Sequence, residues 1–159
     1  MVTVSPQKSG PSASWAYVLQ LPHDPLAPHI ARGTLRAVLA GHGMTQFTDT
    51  AELLTSELVT NAYQHSTGPA TLRLRALGDT RLRVSVWDAN PHIPPPFDEH
   101  PTPLHPVPAT AGGGRGLFLV CHYADAWGGY PLGGDLFGRG GKLLWCELGP
   151  WADGQAAAA

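Results

Sequence analysis

The chain has 159 residues, of which 43% are hydrophobic, enough to bury the core of a single domain. Its formal net charge of −2 and pI of about 6.4 do not provide the broad basic surface that direct nucleic-acid binding requires. No apolar run approaches the roughly 20 residues of a membrane span, and the N-terminus has no signal-peptide pattern. We therefore expect a cytoplasmic protein without a membrane or nucleic-acid partner. Cys121 and Cys146 lie far apart in apolar surroundings, which favours buried, reduced thiols.

The first 43 residues predict a tail, a strand and a helix. Residues 1–13 are small and polar without a pattern, which indicates a mobile tail. Apolar residues alternate over residues 14–21, as in a half-buried strand. Asp24, which is followed by a proline, favours a helix start, and apolar residues at helical spacing continue until Gly41 and Gly43 end the helix.

A second helix and a hairpin follow. The helix is predicted to begin near Asp49, whose side chain can cap it while Glu52 reaches back, and to stop at residues 66–69. Residues 70–77 and 81–88 are alternating runs joined by a short turn that contains glycine, which predicts an antiparallel hairpin.

The last third of the chain predicts a long loop, a third helix and a final strand. Residues 91–114 carry eight prolines and no usable period, which is typical of a lid over a site. The third helix is predicted to begin at the glycine cluster after this loop and to end by Gly128, and residues 142–148 form a buried strand. The folded domain is predicted to span residues 14–149, followed by a mobile tail at residues 150–159.

The most informative stretch lies in the second predicted helix, where Glu57 and Asn61 are four residues apart and therefore share a helix face. Leu54, Leu58 and Ala62 repeat at the same spacing and would seat the helix on a core. Taken alone, an acidic residue and an asparagine on an amphipathic helix are more often a solvated face. Asn61 can nevertheless offer an amide oxygen to Mg²⁺, which prefers oxygen ligands.

Two later segments supply complementary chemistry. Asp88 ends the second hairpin strand, and an ionised carboxylate at the bottom of a pocket can accept the exocyclic amine of adenine. The glycines before the third helix let the backbone approach a phosphate, and the helix start adds its N–H groups. Arg115 can reach a terminal phosphate with its guanidinium fork. The simpler interpretations are a turn residue at Asp88 and a flexible glycine loop. The glycines are Gly112, Gly113, Gly114 and Gly116.

Together these segments carry a resemblance to a known family. Residues 57–65, 88–91 and 112–120, followed by residues 141–148, resemble the N, G1, G2 and final-strand motifs of the Bergerat-fold ATPases. Within that superfamily the chain looks most like the anti-sigma-factor serine/threonine kinases and their single-domain relatives. The resemblance implies a two-layer α/β (α+β) sandwich, in which a mixed, mainly antiparallel sheet is covered on one face by about three helices.

The resemblance also implies ATP and Mg²⁺ as cofactors and a role for each motif residue. Asn61 would bind the metal, Asp88 would read adenine, and Glu57 would be the general base that takes the proton of a serine or threonine hydroxyl. The partners implied are an anti-anti-sigma protein, which would be phosphorylated, and a sigma factor, which would be sequestered; a homodimer is plausible. The implied nucleotide-binding set is Asn61, Asp88, Asn90, Gly112, Gly113, Gly114, Arg115, Gly116 and Leu117.

Two departures from the family pattern leave a second function open. Asn90 stands where much of the superfamily has glycine, and Leu143 stands where many relatives have threonine. Both predict weaker nucleotide binding without touching Glu57 or Asn61. The alternative is therefore a non-catalytic ATP-binding, or nucleotide-free, protein-interaction module of the same fold. A histidine kinase is disfavoured because the first 50 residues have room for only one helix, and gyrase-like energy transduction would need a second domain.

Overall fold

A computed structural model describes residues 14–98, 115–133 and 140–150. Eight helices and strands organise these ranges, with a short 3₁₀ turn before the second helix. In chain order they are β1 (Ala16–Leu21), α1 (Ala27–Gly41), the 3₁₀ turn (Thr45–Phe47), α2 (Thr48–His65), β2 (Ala70–Leu77), β3 (Arg81–Asp88), α3 (Arg115–Tyr123), β4 (Ala126–Leu132) and β5 (Gly141–Leu148).

The strands form one five-stranded sheet in the order β1-β2-β3-β5-β4, and every neighbouring pair is antiparallel. The side chains that alternate onto one face of this sheet are buried, together with the apolar faces of the three helices. This confirms the predicted two-layer α/β sandwich, although the described strands form a purely antiparallel sheet and not the mixed one that the resemblance implies. The predicted hairpin is confirmed with the same bounds, Ala70–Leu77 and Arg81–Asp88.

The opposite face of the sheet carries the arginines of that hairpin. Arg73 and Arg75 are exposed on β2. Arg81 and Arg83 of β3 both pair with Glu147 of β5, and the Arg83 guanidinium lies over the Trp145 ring, 4.5 Å from its centroid. These contacts identify the arginine cluster as the outer face of the sheet, as its alternation with apolar residues indicates.

The starts of α1 and α2 differ from the prediction. Helix α1 begins at Ala27, because the Asp24 side chain accepts a hydrogen bond from the Leu26 N–H (2.7 Å) and holds a turn before the helix. Helix α2 begins at Thr48, and no side chain caps it. The predicted capping box is wrong, since Glu52 instead accepts a hydrogen bond from Arg36 of α1 at 2.6 Å.

Strand β4 is absent from the sequence prediction, which placed Gly128 at the end of a helix. Helix α3 in fact ends at Tyr123, and β4 runs along the sheet edge as Ala126–Leu132. Glycine and proline are rare within strands, so this segment does not resemble one. Its glycines make room for side chains of the neighbouring strand, because a methyl group on Gly128 would lie 2.8 Å from the Trp145 ring and one on Gly129 would lie 2.7 Å from a Leu144 methyl.

Several sequence predictions fall outside the described residues. These are the N-terminal tail, the C-terminal tail from residue 151, and most of the proposed lid, including Gly112, Gly113 and Gly114.

Within the described ranges no helix is long and apolar enough to cross a membrane. Cys121 and Cys146 are buried free thiols, as predicted, and burial is the main cause that raises the pKa of each to about 12.

Candidate functional site

Helix α2 presents Glu57 and Asn61 as the sequence predicts. Leu54, Leu58 and Ala62 are at most 1% exposed and anchor the helix against the sheet. Burying a leucine side chain stabilises the fold by roughly 1.5 to 3 kcal/mol, so this contact fixes the rotation of α2 about its axis. Glu57 and Asn61, one turn apart, then lie at the boundary of the core, with Glu57 half-buried and Asn61 7% exposed.

The Asn61 side chain has an unused acceptor. Its Oδ1 is buried and has no hydrogen-bond partner among the residues that the structure describes. An unsatisfied buried polar atom costs about 1 to 3 kcal/mol, so such atoms are rare without a reason. An amide oxygen is a suitable Mg²⁺ ligand, and Mg²⁺ usually keeps waters and phosphate oxygens as its other ligands. Asn61 therefore fits the metal role that the family resemblance implies.

Glu57 lies directly against the start of α3. A methyl group on Gly116 would overlap the Glu57 carboxylate, so the glycine leaves room for this carboxylate to lie against the start of α3. Burial raises the pKa of Glu57 above its ordinary value of 4.5. The carboxylate makes no hydrogen bond or ion pair that the described part of the chain supplies, so it is free to accept a proton.

The start of α3 contains the other described members of the predicted phosphate site. Arg115 is the first residue of the helix and is exposed. The Leu117 side chain belongs to the hydrophobic core, so its backbone N–H, in the first turn, is the part of this residue that is placed for an anion. The structure thus brings Glu57, Gly116 and the N-terminus of α3 together.

Asp88 ends β3, is 1% exposed, and is engaged by a residue that the sequence analysis missed. The Lys142 ammonium, also 1% exposed, donates to Asp88 Oδ1 at 2.9 Å and lies 2.9 Å from Oδ2. A methyl group on Gly141 would overlap the Asp88 carbonyl oxygen, so the glycine lets β5 come close enough to deliver Lys142. Asp88 and Lys142 therefore form a buried ion pair across the two strands.

Asn90 holds the turn that follows Asp88. Its N–H donates to Asp88 Oδ1 (2.8 Å), its Oδ1 accepts from the His92 N–H (3.0 Å), and its Nδ2 donates to the His65 carbonyl (2.7 Å). The last bond ties the turn to the C-terminal end of α2. Asn90 thus keeps the turn ordered through side-chain bonds that glycine could not make.

The structure places Leu143 away from Asp88. Leu143 pairs with Trp87, whereas Lys142 pairs with Asp88. Because successive side chains of a strand point to opposite faces, Leu143 lies on the outer face of the sheet. The position opposite the candidate base-reading carboxylate is therefore occupied by a lysine.

The candidate site has two ends along α2. Glu57 and Gly116 mark one end, and the contact of Asn90 with His65 marks the other. At a rise of 1.5 Å per residue these points are about 12 Å apart along the helix axis, with Asn61 midway. A metal cluster of three or more histidine, cysteine, aspartate or glutamate residues is absent from the described ranges.

The raised pKa of Glu57 predicts the pH dependence of a Glu57→Gln variant. The folded state binds the Glu57 proton more tightly than the unfolded state, so stability falls as pH rises from about 4.5 through the folded pKa. The neutral variant should therefore have a slightly higher Tm than the wild type at neutral pH and no advantage below about pH 4.5. Thermal unfolding at both pH values measures this. Glu52→Gln, which loses an ion pair instead, is the control, and a lower Tm of Glu57→Gln at neutral pH would contradict the prediction.

The Asp88–Lys142 pair predicts a large coupling in a double-mutant cycle. Removing one partner of a buried pair leaves an uncompensated charge and costs about 3 to 5 kcal/mol. Asp88→Asn and Lys142→Met should each lower the free energy of unfolding by about this amount, and the double variant by clearly less than their sum. Urea titrations provide the values.

The exposed Arg36–Glu52 pair serves as the reference, since such pairs contribute only about 0 to 1 kcal/mol. Additive losses at Asp88 and Lys142 would mean that the two groups do not interact.

A comparison with known protein families agrees with this geometry. The family model of the histidine kinase-like ATPase domain matches residues 21–130, more than half of the chain, from the end of β1 into β4. The match contains α2, Asp88 and the start of α3. No curated protein matches the chain at a significant level. The chain belongs to the histidine kinase-like ATPase domain family, whose fold is the ATP-binding sandwich described above.

Proposed function

We propose that the chain is an ATP- and Mg²⁺-dependent serine/threonine protein kinase of the anti-sigma-factor type. It phosphorylates an anti-anti-sigma partner and sequesters a sigma factor, and thereby regulates transcription. Membership of the ATPase family implies ATP binding. The observation that carries the kinase proposal is the Glu57 carboxylate, which is half-buried, uncommitted among the described residues and seated against the start of α3.

Each residue has one task in this reaction. Asn61 Oδ1 would be the protein ligand for the metal, and the backbone N–H groups at the start of α3 would bind the phosphates. Bound Mg²⁺ supplies charge neutralisation at the phosphates. Glu57 takes the proton of the partner's hydroxyl group as the hydroxyl oxygen forms a bond to the terminal phosphorus of ATP, while the bond from that phosphorus to the bridging oxygen breaks and ADP leaves. Burial moves the pKa of Glu57 toward neutrality, which makes it a stronger base.

A second candidate function is an ATP-dependent interaction module without phosphotransfer. The specific observation in its favour is the Asp88–Lys142 ion pair, which leaves less of the Asp88 carboxylate to bind the adenine ring. In this case the nucleotide only sets the shape of a surface that holds a regulator. A Glu57→Gln variant that retains full regulatory activity would favour this function over the kinase.

Glu57→Gln tests the kinase. Loss of a general base typically lowers the rate by about 10² to 10⁴, and the rate of phosphate transfer should fall by this factor while ATP affinity changes little. The assay follows labelled phosphate from ATP to anti-anti-sigma proteins encoded in the same genome. Glu52→Gln, on the same helix but paired with Arg36, is the matched control. ATP binding by the wild type with no transfer to any of these proteins would rule out the kinase.

Asn61→Ala tests the metal site. The variant should weaken Mg²⁺–ATP by about tenfold or more, since it removes the protein ligand, and should change metal-free ATP binding much less. Calorimetric titrations of ATP with Mg²⁺ and with a chelator separate the two effects. Equal losses under both conditions would show that Asn61 holds the nucleotide or the fold without binding the metal.

A further inference from the structure

The Asp88–Lys142 pair bears on which base the site accepts. In the role that the family resemblance implies, Asp88 accepts the exocyclic amine of adenine, and an unpaired carboxylate would repel the carbonyl oxygen that guanine has at the same position. In this chain Lys142 stands opposite that aspartate in the β3–β5 register, and both side chains are 1% exposed. The carboxylate therefore already has a cationic donor beside it before any ligand binds.

The donors and acceptors of this pair are largely used within the protein. Asp88 Oδ1 accepts from the Lys142 ammonium (2.9 Å) and from the Asn90 N–H (2.8 Å), and Oδ2 lies 2.9 Å from the same ammonium. The ammonium also lies 3.3 Å from the Asn90 carbonyl oxygen. Both lone-pair positions of Oδ1 are therefore taken by the chain itself, and Oδ2 lies in ion-pair contact with the ammonium. The ammonium uses two of its three protons in hydrogen bonds, to Asp88 Oδ1 and to the Asn90 carbonyl oxygen, and keeps one as a donor.

Charge neutralisation removes the physical basis of base selection. A lone buried carboxylate favours an amine and disfavours a carbonyl because its charge is uncompensated. Beside an ammonium the net local charge is zero, and the pair offers a donor as well as an acceptor. A carbonyl oxygen at the rim of the pair is then no longer repelled, and an amine is no longer strongly attracted.

Resting on the proposed nucleotide-binding function, we infer that Lys142 is a specificity-determining residue. It withdraws Asp88 from adenine recognition, so the site holds purine nucleoside triphosphates by their phosphates and metal and does not separate ATP from GTP. The residue that removes base selection thus lies on the β3–β5 ladder, away from Glu57.

Calorimetric titration with ATP, GTP and inorganic triphosphate in Mg²⁺ tests this inference. The wild type should bind ATP and GTP with dissociation constants within about threefold of each other. Lys142→Thr and Lys142→Met free the carboxylate, and the preference for ATP should rise to about ten- to a hundredfold. Leu143→Thr, on the neighbouring residue but the opposite face, is the matched control and should leave the ratio unchanged.

The possible results separate the two proposals. A wild type that prefers ATP by tenfold or more overturns the role of Lys142 while leaving the proposed function intact, and this result needs no variant to fold. A ratio that changes in Leu143→Thr but not in the Lys142 variants overturns it as well. If a folded wild type binds none of the three probes, the proposed nucleotide-binding function itself is overturned, and the inference about Lys142 with it.

Discussion

The packing of α2 on the sheet is the constraint on which the site depends. Leu54, Leu58 and Ala62 are almost completely buried, and their spacing leaves only one rotation of the helix that satisfies the core. That rotation places Glu57 against Gly116 of α3 and buries Asn61 with an unused oxygen. The catalytic candidates are therefore not held by their own hydrogen bonds. They are held by apolar side chains on the same helix, which is why their polar atoms remain available to a ligand.

The end of the site near Asp88, where the nucleotide base is expected, is held by polar contacts inside the sheet. Asp88 and Lys142 are both buried, and their pairing needs the close approach of β3 and β5 that Gly141 permits. A buried pair gains little net stability over an apolar pair of the same size, because desolvation offsets most of the attraction. Removing either group, however, would lower the free energy of unfolding, so the pair strongly specifies the register of β5 against β3. The Asn90 bond to His65 then links this sheet element to the end of α2.

The sequence predicts those parts of the fold that rest on local periodicity. The α2 face and the β2–β3 hairpin follow from spacings of four and two residues, and the structure confirms both. Strand β4 could not be predicted in this way, since its glycines make room for Trp145 and Leu144 on the neighbouring strand. The role of Lys142 also depends on cross-strand register. A signal for it does exist in the sequence, because Lys142 shares the parity of the buried Leu144 and Cys146, and a charge on a buried strand face requires a partner.

Because the two ends of the site are separate, a kinase of this kind could lose the distinction between ATP and GTP and still transfer phosphate. Phosphate transfer would depend on positioning and charge at the Glu57 end of the site, about 12 Å along α2 from the end that Asn90 marks. A lysine that neutralises Asp88 removes free energy from base recognition, yet it leaves the Glu57 carboxylate, the Asn61 oxygen and the start of α3 as they are. Loss of base selection therefore weakens the recognition of the nucleotide, which favours the interaction module, but removes no residue that phosphate transfer would use. The kinase and the interaction module differ at Glu57 alone, and the chemistry at that carboxylate decides between them.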